Sequence, residues 1–255
     1  MAIRASAVNS SKQVWEWSPQ VTERVWCNWP MSTLTLPRLY AIADAAVLSG
    51  RGLSLRSLAE DLHSAGVSLV QLRDKDGRPQ AVLAQAALLR EVFPVGKGLL
   101  VMNDRVDLAA LAGFDGVHVG QEDLAPEDAR LVFERGAEPE RLGAQRVKVA
   151  EIVGISTHTD AQVRAAELSR ADYVAVGPVF ATGTKLNASP VVGLDGVRRA
   201  RALTAKPLVA IGGITRANAS SVIKAGADSV AVISGLFVPG ETVERVARDF
   251  LGFFR

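Results

Sequence analysis

Three positively charged side chains in two short segments could bind a diphosphate group. Arg73 and Lys75 lie two residues apart after one apolar run, and Lys185 follows a later run. An arginine can grip phosphate oxygens with paired hydrogen bonds, whereas a lysine supplies a point charge. We therefore expect the three side chains to surround a diphosphate.

Two carboxylates, Asp104 and Asp123, follow two further apolar runs and could hold a divalent cation. Mg²⁺ takes few protein ligands and completes its shell with water or phosphate oxygens, so two carboxylates beside a diphosphate suit it. The alternative is that these carboxylates only form ion pairs with Arg105 or Arg73. We favour the Mg²⁺ site.

A second anion site is predicted from small residues that follow two late apolar runs. These are the pairs Gly212-Gly213 and Ser234-Gly235. Because glycine has no Cβ, backbone N–H groups can come close to an anion there, and phosphate often binds the loops after strands 7 and 8 of a (β/α)8 barrel. The alternative is that the glycines only allow tight turns.

Four other polar residues receive more cautious interpretations. His118 lies in the apolar segment GVHVG and is interpreted as a hydrogen-bonded core residue, whereas His158 could act in catalysis or hold its loop. Asp107 is interpreted as a helix-start charge and Asp115 as a loop carboxylate. A Ser/His/acid hydrolase is disfavoured because the sequence has no GxSxG segment.

The elements that must position these residues alternate between short apolar runs and amphipathic stretches. Each run is four or five residues long and apolar throughout, which is typical of strands covered on both faces. The predicted strands are Leu39–Ala43, Leu69–Leu72, Leu99–Met102, Gly116–Val119, Ile152–Ile155, Tyr173–Val176, Leu208–Ile211 and Ser229–Ile233. The predicted helices include Ser54–Ala65, Gln80–Val92, Asp160–Leu168, Asp195–Leu203 and Arg216–Ala225.

Eight strand–helix units within residues 37–255 predict a (β/α)8 TIM barrel, which needs about 200–250 residues. The competing doubly wound sheet would carry a glycine-rich turn after its first strand, and IADAAVLSG matches that pattern poorly. Gly66 and Gly226 are expected to end helices, and Thr215 to cap one. The charged segment 133–151 is interpreted as a helix end followed by a surface loop.

Composition excludes several classes of protein. The 255-residue chain has a net charge of +2 and 48% hydrophobic residues, which argues against disorder and against nucleic-acid binding through bulk charge. One cysteine and three histidines make a structural zinc site improbable. No apolar run approaches the ~20 residues of a membrane span, and a secretion signal is not evident. We expect a soluble cytoplasmic protein whose partners are small molecules.

The first 36 residues differ in composition from the rest. They contain all four tryptophans and the single cysteine, Cys27, without sustained strand or helix periodicity. We interpret residues 1–36 as an extension that is disordered or translated from a start upstream of Met31, and residues 37–255 as the catalytic barrel. The alternative is that the tryptophans contact a partner subunit of a homo-oligomer or cover the barrel floor.

In order along the chain, the segments after residue 37 resemble the thiamine-phosphate synthase family. The matching segments are LYAIAD at 39–44, VQLRDK at 70–75, MNDRVDLA at 102–109, GVHVGQEDL at 116–124, GISTHT at 154–159, DYVAVGPVFATGTK at 172–185, VAIGGI at 209–214 and GADSVAVISGLF at 226–237. The family is a (β/α)8 barrel of thiamine biosynthesis. It joins a pyrimidine diphosphate to a thiazole phosphate and releases diphosphate.

The resemblance implies a role for each matching site residue. The pyrimidine diphosphate is implied to bind Gln71, Arg73, Lys75, Asn103, Ser156 and Lys185. Asp104 and Asp123 are implied to hold Mg²⁺. The thiazole phosphate is implied to bind Thr182, Thr184, Gly213, Ile233 and Ser234. Among these, Lys185, Ser156 and Arg73 are the residues expected to act in catalysis, by stabilising a departing diphosphate rather than by strong base chemistry.

Three other functions remain open. A thiazole tautomerase with the same barrel would transfer protons through His158 and would need neither the diphosphate cluster nor the metal carboxylates. A barrel that only senses thiazole phosphate would tolerate loss of Asp104 or Lys185. A phosphosugar isomerase would share only the second phosphate site. Because the whole charged cluster is present, we favour the synthase.

Overall fold

Eight parallel strands close into a barrel in the part of the chain that the computed structural model describes, which comprises residues 34–135, 151–183 and 190–253. The strands are β1 (Leu39–Asp44), β2 (Leu69–Arg73), β3 (Leu99–Asn103), β4 (Gly116–Val119), β5 (Ile152–Thr157), β6 (Tyr173–Val176), β7 (Leu208–Ile211) and β8 (Ser229–Val232). Each strand pairs with the next, and β1 also pairs with β8, with Ala41 opposite Val232. The predicted (β/α)8 barrel is confirmed, and the open doubly wound sheet is excluded.

Helices connect the strands and cover the outside of the barrel. They are α1 (Ala45–Gly50), α2 (Leu55–Ala65), α3 (Pro79–Val92), α4 (Val106–Leu111), α5 (Pro126–Arg135), α6 (Asp160–Leu168), α7 (Gly193–Leu203), α8 (Ala219–Lys224) and α9 (Val243–Gly252). A 3-10 turn, Ser234–Leu236, follows β8. Among the described residues, no helix has the length and apolar character needed to cross a membrane.

Strand residues alternate between two apolar layers. On β1, Leu39, Ala41 and Ala43 join the large core between strands and helices. Tyr40 and Ile42 point into the barrel, where they meet apolar and aromatic side chains of other strands. Burial on both faces explains why the strands read as continuous apolar runs. Because all eight strands are parallel, every described loop that follows a strand emerges at one rim.

Helix ends follow the predicted signals at some positions and not at others. Gly66 ends α2 with a left-handed φ of 88°, as predicted. The prediction that Thr215 caps a helix is wrong: α8 begins at Ala219, and the Thr215 N–H donates instead to Oδ1 of Asn218 at 2.8 Å. Residues 215–218 form a turn, so α8 is shorter than the predicted Arg216–Ala225.

A repeated arrangement of Asp and Arg braces the end of the barrel opposite that rim. The Oδ2 of Asp115, just before β4, accepts hydrogen bonds from the Leu100 N–H at 2.8 Å and from Arg90 at 3.0 Å. The corresponding acids before β6 and β8 accept from the first or second N–H of the strand before, and each pairs with an arginine of the helix that leads into that strand. These sets are Asp172 with Val153 and Arg130, and Asp228 with Leu208 and Arg201.

Two segments singled out by the sequence lie largely outside the described residues. Of the interpreted extension, 1–36, only residues 34–36 are described, and Leu36 is buried against the barrel interior. Of the 133–151 connection, the end of α5 at Arg135 and Glu151 are described. The extension and the loop interpretation therefore remain predictions.

Candidate active site

A cavity of about 160 Å³ opens at the carboxyl ends of the strands. Eleven of the thirteen site residues expected from the sequence line it, namely Gln71, Arg73, Lys75, Asn103, Asp104, Asp123, Ser156, Thr182, Gly213, Ile233 and Ser234. The other two, Thr184 and Lys185, lie outside the described residues. Residues from seven strand ends and from the loops that follow them thus converge on one site.

Arg73 is held at the rim by a carboxylate that sequence reasoning did not include. At the end of β2 it forms an ion pair with Asp44 at the end of β1, and Asp44 is only 2% exposed. The other oxygen of Asp44 accepts the Val47 N–H at 2.9 Å and so caps α1. Because a guanidinium has five N–H donors, Arg73 retains donors for a ligand.

The second cation, Lys75, contacts one of the predicted metal carboxylates. Its Nζ lies 3.0 Å from Oδ2 of Asp104, whose backbone has a left-handed φ of 61°. Arg105 instead pairs with Asp107, the first-turn acid of α4, at 2.6 Å. The alternative that Arg105 or Arg73 neutralises the carboxylate pair is therefore wrong, because Asp107 and Asp44 are their partners.

Asp104 and Asp123 approach each other closely enough to interact. Burial raises the pKa of Asp104 above its ordinary value, and the neighbouring Asp123 carboxyl adds to the rise, although the hydrogen bond from Lys75 opposes it. Asp123 itself accepts the Gly120 N–H at 2.7 Å. Two carboxylates this close repel each other, so binding of a cation beside them is favourable.

The composition of this carboxylate pair bears on the type of metal it would suit. Among the described residues, no group of three or more His, Cys, Asp or Glu side chains could hold an ion. Zinc sites use three or four such protein ligands, whereas Mg²⁺ binds through one or two carboxylates and substrate phosphates. The pair therefore fits Mg²⁺ bound together with a phosphorylated ligand.

Glycines form the rim after β7. Gly212 and Gly213 have positive φ angles of 104° and 63°. A Cβ on Gly213 would lie 2.6 Å from the carbonyl oxygen of Ala181, so no other residue fits without a shift. The close packing of two loops leaves backbone groups facing the cavity, as an anion site needs.

Hydrogen-bonded side chains cross the barrel interior beneath the cavity. Gln71 Nε2 donates to Tyr40 Oη at 2.8 Å, and Tyr40 Oη lies 3.0 Å from Tyr173 Oη. Tyr173 Oη lies 2.9 Å from Nδ1 of His118, whose Nε2 is 2.8 Å from Ser156 Oγ. The interpretation of His118 as a hydrogen-bonded core residue is confirmed, although its ring also borders the cavity.

Sequence reasoning missed Tyr40 and Tyr173, although a signal was present. They are the only tyrosines in the chain, and both fall within strands that are otherwise apolar. Each is about 1% exposed. Burial raises the pKa of both phenols, so both stay neutral and keep their protons.

His158 holds its loop. Its Nδ1 lies 2.6 Å from the carbonyl oxygen of Gly177, to which it donates, and its backbone N–H donates to Gln162 Oε1 at 2.7 Å. The ring borders the cavity, but these contacts tie the β5 loop to the end of β6. These contacts agree with the alternative, given by the sequence, in which His158 holds its loop.

Fold and site together define a (β/α)8 barrel protein whose pocket combines cations, paired carboxylates and glycine loops. Comparison with known proteins narrows this class. The family model described as thiamine monophosphate synthase matches residues 39–236. The thiamine-phosphate synthase of Koribacter versatilis is 51% identical over 210 residues, which cover 81% of this chain and 92% of that protein. That of Xanthobacter autotrophicus is 42% identical over 82% of this chain and 92% of its own length.

Solved structures agree. The thiamine phosphate pyrophosphorylase from Pyrococcus furiosus superposes with a TM-score of 0.67 at 30% identity, covering 85% of this chain and 94% of that one. The 3-hexulose-6-phosphate synthase from Salmonella typhimurium, at 17% identity and a TM-score of 0.60, shares the fold alone. The chain belongs to the thiamine monophosphate synthase family.

Proposed function

We propose that this chain condenses 4-amino-2-methyl-5-(diphosphooxymethyl)pyrimidine with 4-methyl-5-(2-phosphooxyethyl)thiazole to give thiamine phosphate and diphosphate. The observation that carries the proposal is that two groups of residues suited to bind anions line one cavity. Charged residues after β2, β3 and β4 face the glycine and serine loops after β7 and β8 across the closed barrel. A transfer between two phosphorylated substrates needs both sites in one cavity.

The charged side would receive the diphosphate. Arg73 and Lys75 donate to its oxygens, and the ion pair with Asp44 keeps the Arg73 guanidinium oriented. Lys185, which follows β6 in the sequence, would approach the same group. As the bond from the pyrimidine methylene to the diphosphate oxygen breaks, the electron pair leaves with the diphosphate, and these cations stabilise the charge that develops.

The remaining substrate groups would bind nearby. Gln71, Asn103 and Ser156 would bind the pyrimidine ring, and the phosphate of the thiazole would lie against Gly213, Ile233, Ser234, Thr182 and Thr184. The thiazole nitrogen then bonds to the electron-poor pyrimidine methylene. Alignment of two bound substrates provides much of the rate acceleration, and no strong base is needed.

Asp104 and Asp123 would hold Mg²⁺, which supplies positive charge to the diphosphate oxygens. Support comes from the proximity of the two carboxyl groups and from the raised pKa of Asp104. Lys75 contacts the same carboxylate, so it would link the metal side of the site to the diphosphate.

Diphosphate release by the purified full-length chain tests this function. We expect release only when both substrates and Mg²⁺ are present, with equal amounts of thiamine phosphate formed. Asp123→Asn should be inactive with or without Mg²⁺. Asp195→Asn, on an exposed helix surface, should behave as wild type. Binding of thiazole phosphate without any diphosphate release would overturn the proposal in favour of a tautomerase or a sensor.

A further inference from the structure

The buried side chains beneath the cavity form a continuous line of hydrogen bonds from β2 to β5. In order they are Gln71, Tyr40, Tyr173, His118 and Ser156. Four of these side chains line the cavity, whereas Tyr173 does not and is about 1% exposed. Among the described residues, the Tyr40 hydroxyl makes hydrogen bonds only within this line.

The direction of each hydrogen bond follows from the first. An amide nitrogen only donates, so Tyr40 accepts from Gln71 Nε2 and directs its own proton to Tyr173 Oη. Tyr173 then directs its proton to Nδ1 of His118, which must be the unprotonated nitrogen. His118 consequently carries its proton on Nε2 and donates it to Ser156 Oγ.

Both ends of the line acquire a defined polarity as a result. Gln71 has used its Nε2, so its Oε1 is available as an acceptor for a ligand. Ser156 Oγ accepts from His118, so its own O–H is available as a donor. One end of the pocket therefore presents an acceptor and the other presents a donor.

The neighbouring strand leaves room for this arrangement. Gly154 lies opposite Tyr173 in the β5–β6 register. A Cβ on Gly154 would lie 2.0 Å from Cζ of the tyrosine ring and 2.4 Å from its hydroxyl oxygen. The ring also stacks on His118, with centroids 5.5 Å apart and an interplanar angle of 23°. Packing and hydrogen bonding thus fix Tyr173 in one orientation.

We infer that Tyr173 is a positioning residue that fixes the His118 tautomer and thereby commits Ser156 to donate a hydrogen bond to the pyrimidine substrate. Its consequence for kinetics rests on the function proposed above, but the tautomer itself is a property of the free protein. Tyr173 does not touch substrate in this role. It acts through His118 alone.

Nitrogen-15 NMR of the imidazole rings tests the first half of the inference in the unliganded full-length chain. The sequence has only three histidines, and His118→Asn identifies the signals of His118 by their loss. We expect His118 to carry its proton on Nε2 in the wild type. Tyr173→Phe should give a mixture of tautomers, whereas Tyr40→Phe should not, because Tyr173 can still donate to Nδ1. A proton on Nδ1 in the wild type, or no change in Tyr173→Phe, would overturn the inference.

Kinetics test the second half. We expect Tyr173→Phe to raise KM for the pyrimidine diphosphate about tenfold with a smaller change in kcat, since one oriented hydrogen bond to substrate is lost. Thr157→Val is the matched control, because it removes a fully buried hydroxyl that donates to Ala175 O at 2.9 Å and lies outside the line. An altered tautomer with an unaltered KM would refute the positioning role. If the wild type makes no thiamine phosphate, the proposed function fails, while the NMR result still decides whether Tyr173 sets the tautomer.

Discussion

Asp44 connects two tasks at the rim of the barrel: one carboxylate oxygen pairs with Arg73 and the other caps α1 through the Val47 N–H. The pair joins the ends of adjacent strands, β1 and β2, whose register places Asp44 directly opposite Arg73. Anchoring the predicted diphosphate-binding guanidinium to a buried acid restricts its rotamers before substrate arrives.

Replacement of Asp44 separates these tasks. Asn is a good helix cap, so Asp44→Asn should keep α1 intact while removing the charged partner of Arg73. We expect kcat/KM for the pyrimidine diphosphate to fall about tenfold, the equivalent of about 1.4 kcal/mol. Asp44→Ala should lose a further ~1 kcal/mol of folding stability with the cap. Steady-state kinetics and urea unfolding distinguish the effects, and an Asp44→Asn variant with wild-type kinetics would contradict this role.

Loss of Lys185 should strongly impair turnover. Without its charge on the departing diphosphate, Lys185→Ala should reduce kcat by about a hundredfold or more. The control is Lys224→Ala, which removes an exposed lysine at the end of α8. Circular dichroism should show both variants folded. Near-normal turnover of Lys185→Ala would remove this lysine from the proposed mechanism.

In the metal-free protein at neutral pH, the ionised carboxylate of Asp104 should lower the free energy of unfolding. Burial, augmented by Asp123, raises its pKa, so the folded chain binds a proton there more tightly than the unfolded chain does. The resulting loss of stability develops as pH rises from the ordinary value of 3.8 through the raised folded-state pKa, and it persists at pH 7. Asp104→Asn should therefore raise the Tm at pH 7 by about 2 °C and abolish activity.

The pH dependence provides the check on that prediction. The gain in Tm of Asp104→Asn over wild type should disappear as the pH approaches 3.8, where the wild-type carboxyl is protonated in both states. Mg²⁺ should stabilise the wild type at pH 7 and leave the variant unaffected. A variant that is less stable than wild type at pH 7 without metal would show that Lys75 outweighs burial.

Substitution of Gly213 should weaken binding of one substrate much more than binding of the other. Alanine there meets the Ala181 carbonyl and must adopt a left-handed φ, so the loop after β7 has to move. We expect Gly213→Ala to raise KM for the thiazole phosphate at least about tenfold, the effect of one or more lost phosphate contacts. KM for the pyrimidine diphosphate should change much less. Gly50→Ala, at the end of α1 with open space around it, should match wild type in both constants.

Asp115 should matter for stability and not for kinetics. Its carboxylate is 6% exposed and accepts hydrogen bonds from both Arg90 and the Leu100 N–H. Asp115→Ala therefore leaves a cation and a backbone donor without this acceptor. Breaking a buried pair from one side costs about 3 kcal/mol or more. Urea unfolding measures this loss, and Asp195→Ala, which removes an 83% exposed acid, is the control. Altered KM values in Asp115→Ala would contradict the separation.

The strands could be predicted from sequence because each is apolar on both faces and ends where polar residues begin. Leu208–Ile211 and Tyr173–Val176 match the predicted bounds. Helix starts were harder. Thr215 has the side chain of a cap, but the Asn218 carboxamide competes for the same turn and delays α8 to Ala219.

The residues of the site could be predicted from the sequence, but the contacts between them could be predicted only in part. Strand ends meet at one rim, so polar residues after different strands had to converge. Which cation would meet which acid depended on register: β1 and β2 place Asp44 beside Arg73, and Asp104 meets Lys75. The tyrosines were missed because a tyrosine in an apolar strand resembles ordinary core until its hydroxyl partners are known.

The acids before β4, β6 and β8 clamp alternate joints of the barrel at the end farthest from the cavity. The corresponding residue before β2 is Ser68, whose side chain has no carboxylate to accept an N–H of β1. Backbone amide protons at Leu100, Val153 and Leu208 should therefore exchange with solvent among the slowest, and at this end the joint between β1 and β2 should open first. The barrel has a weak seam, and its position is set by one missing carboxylate.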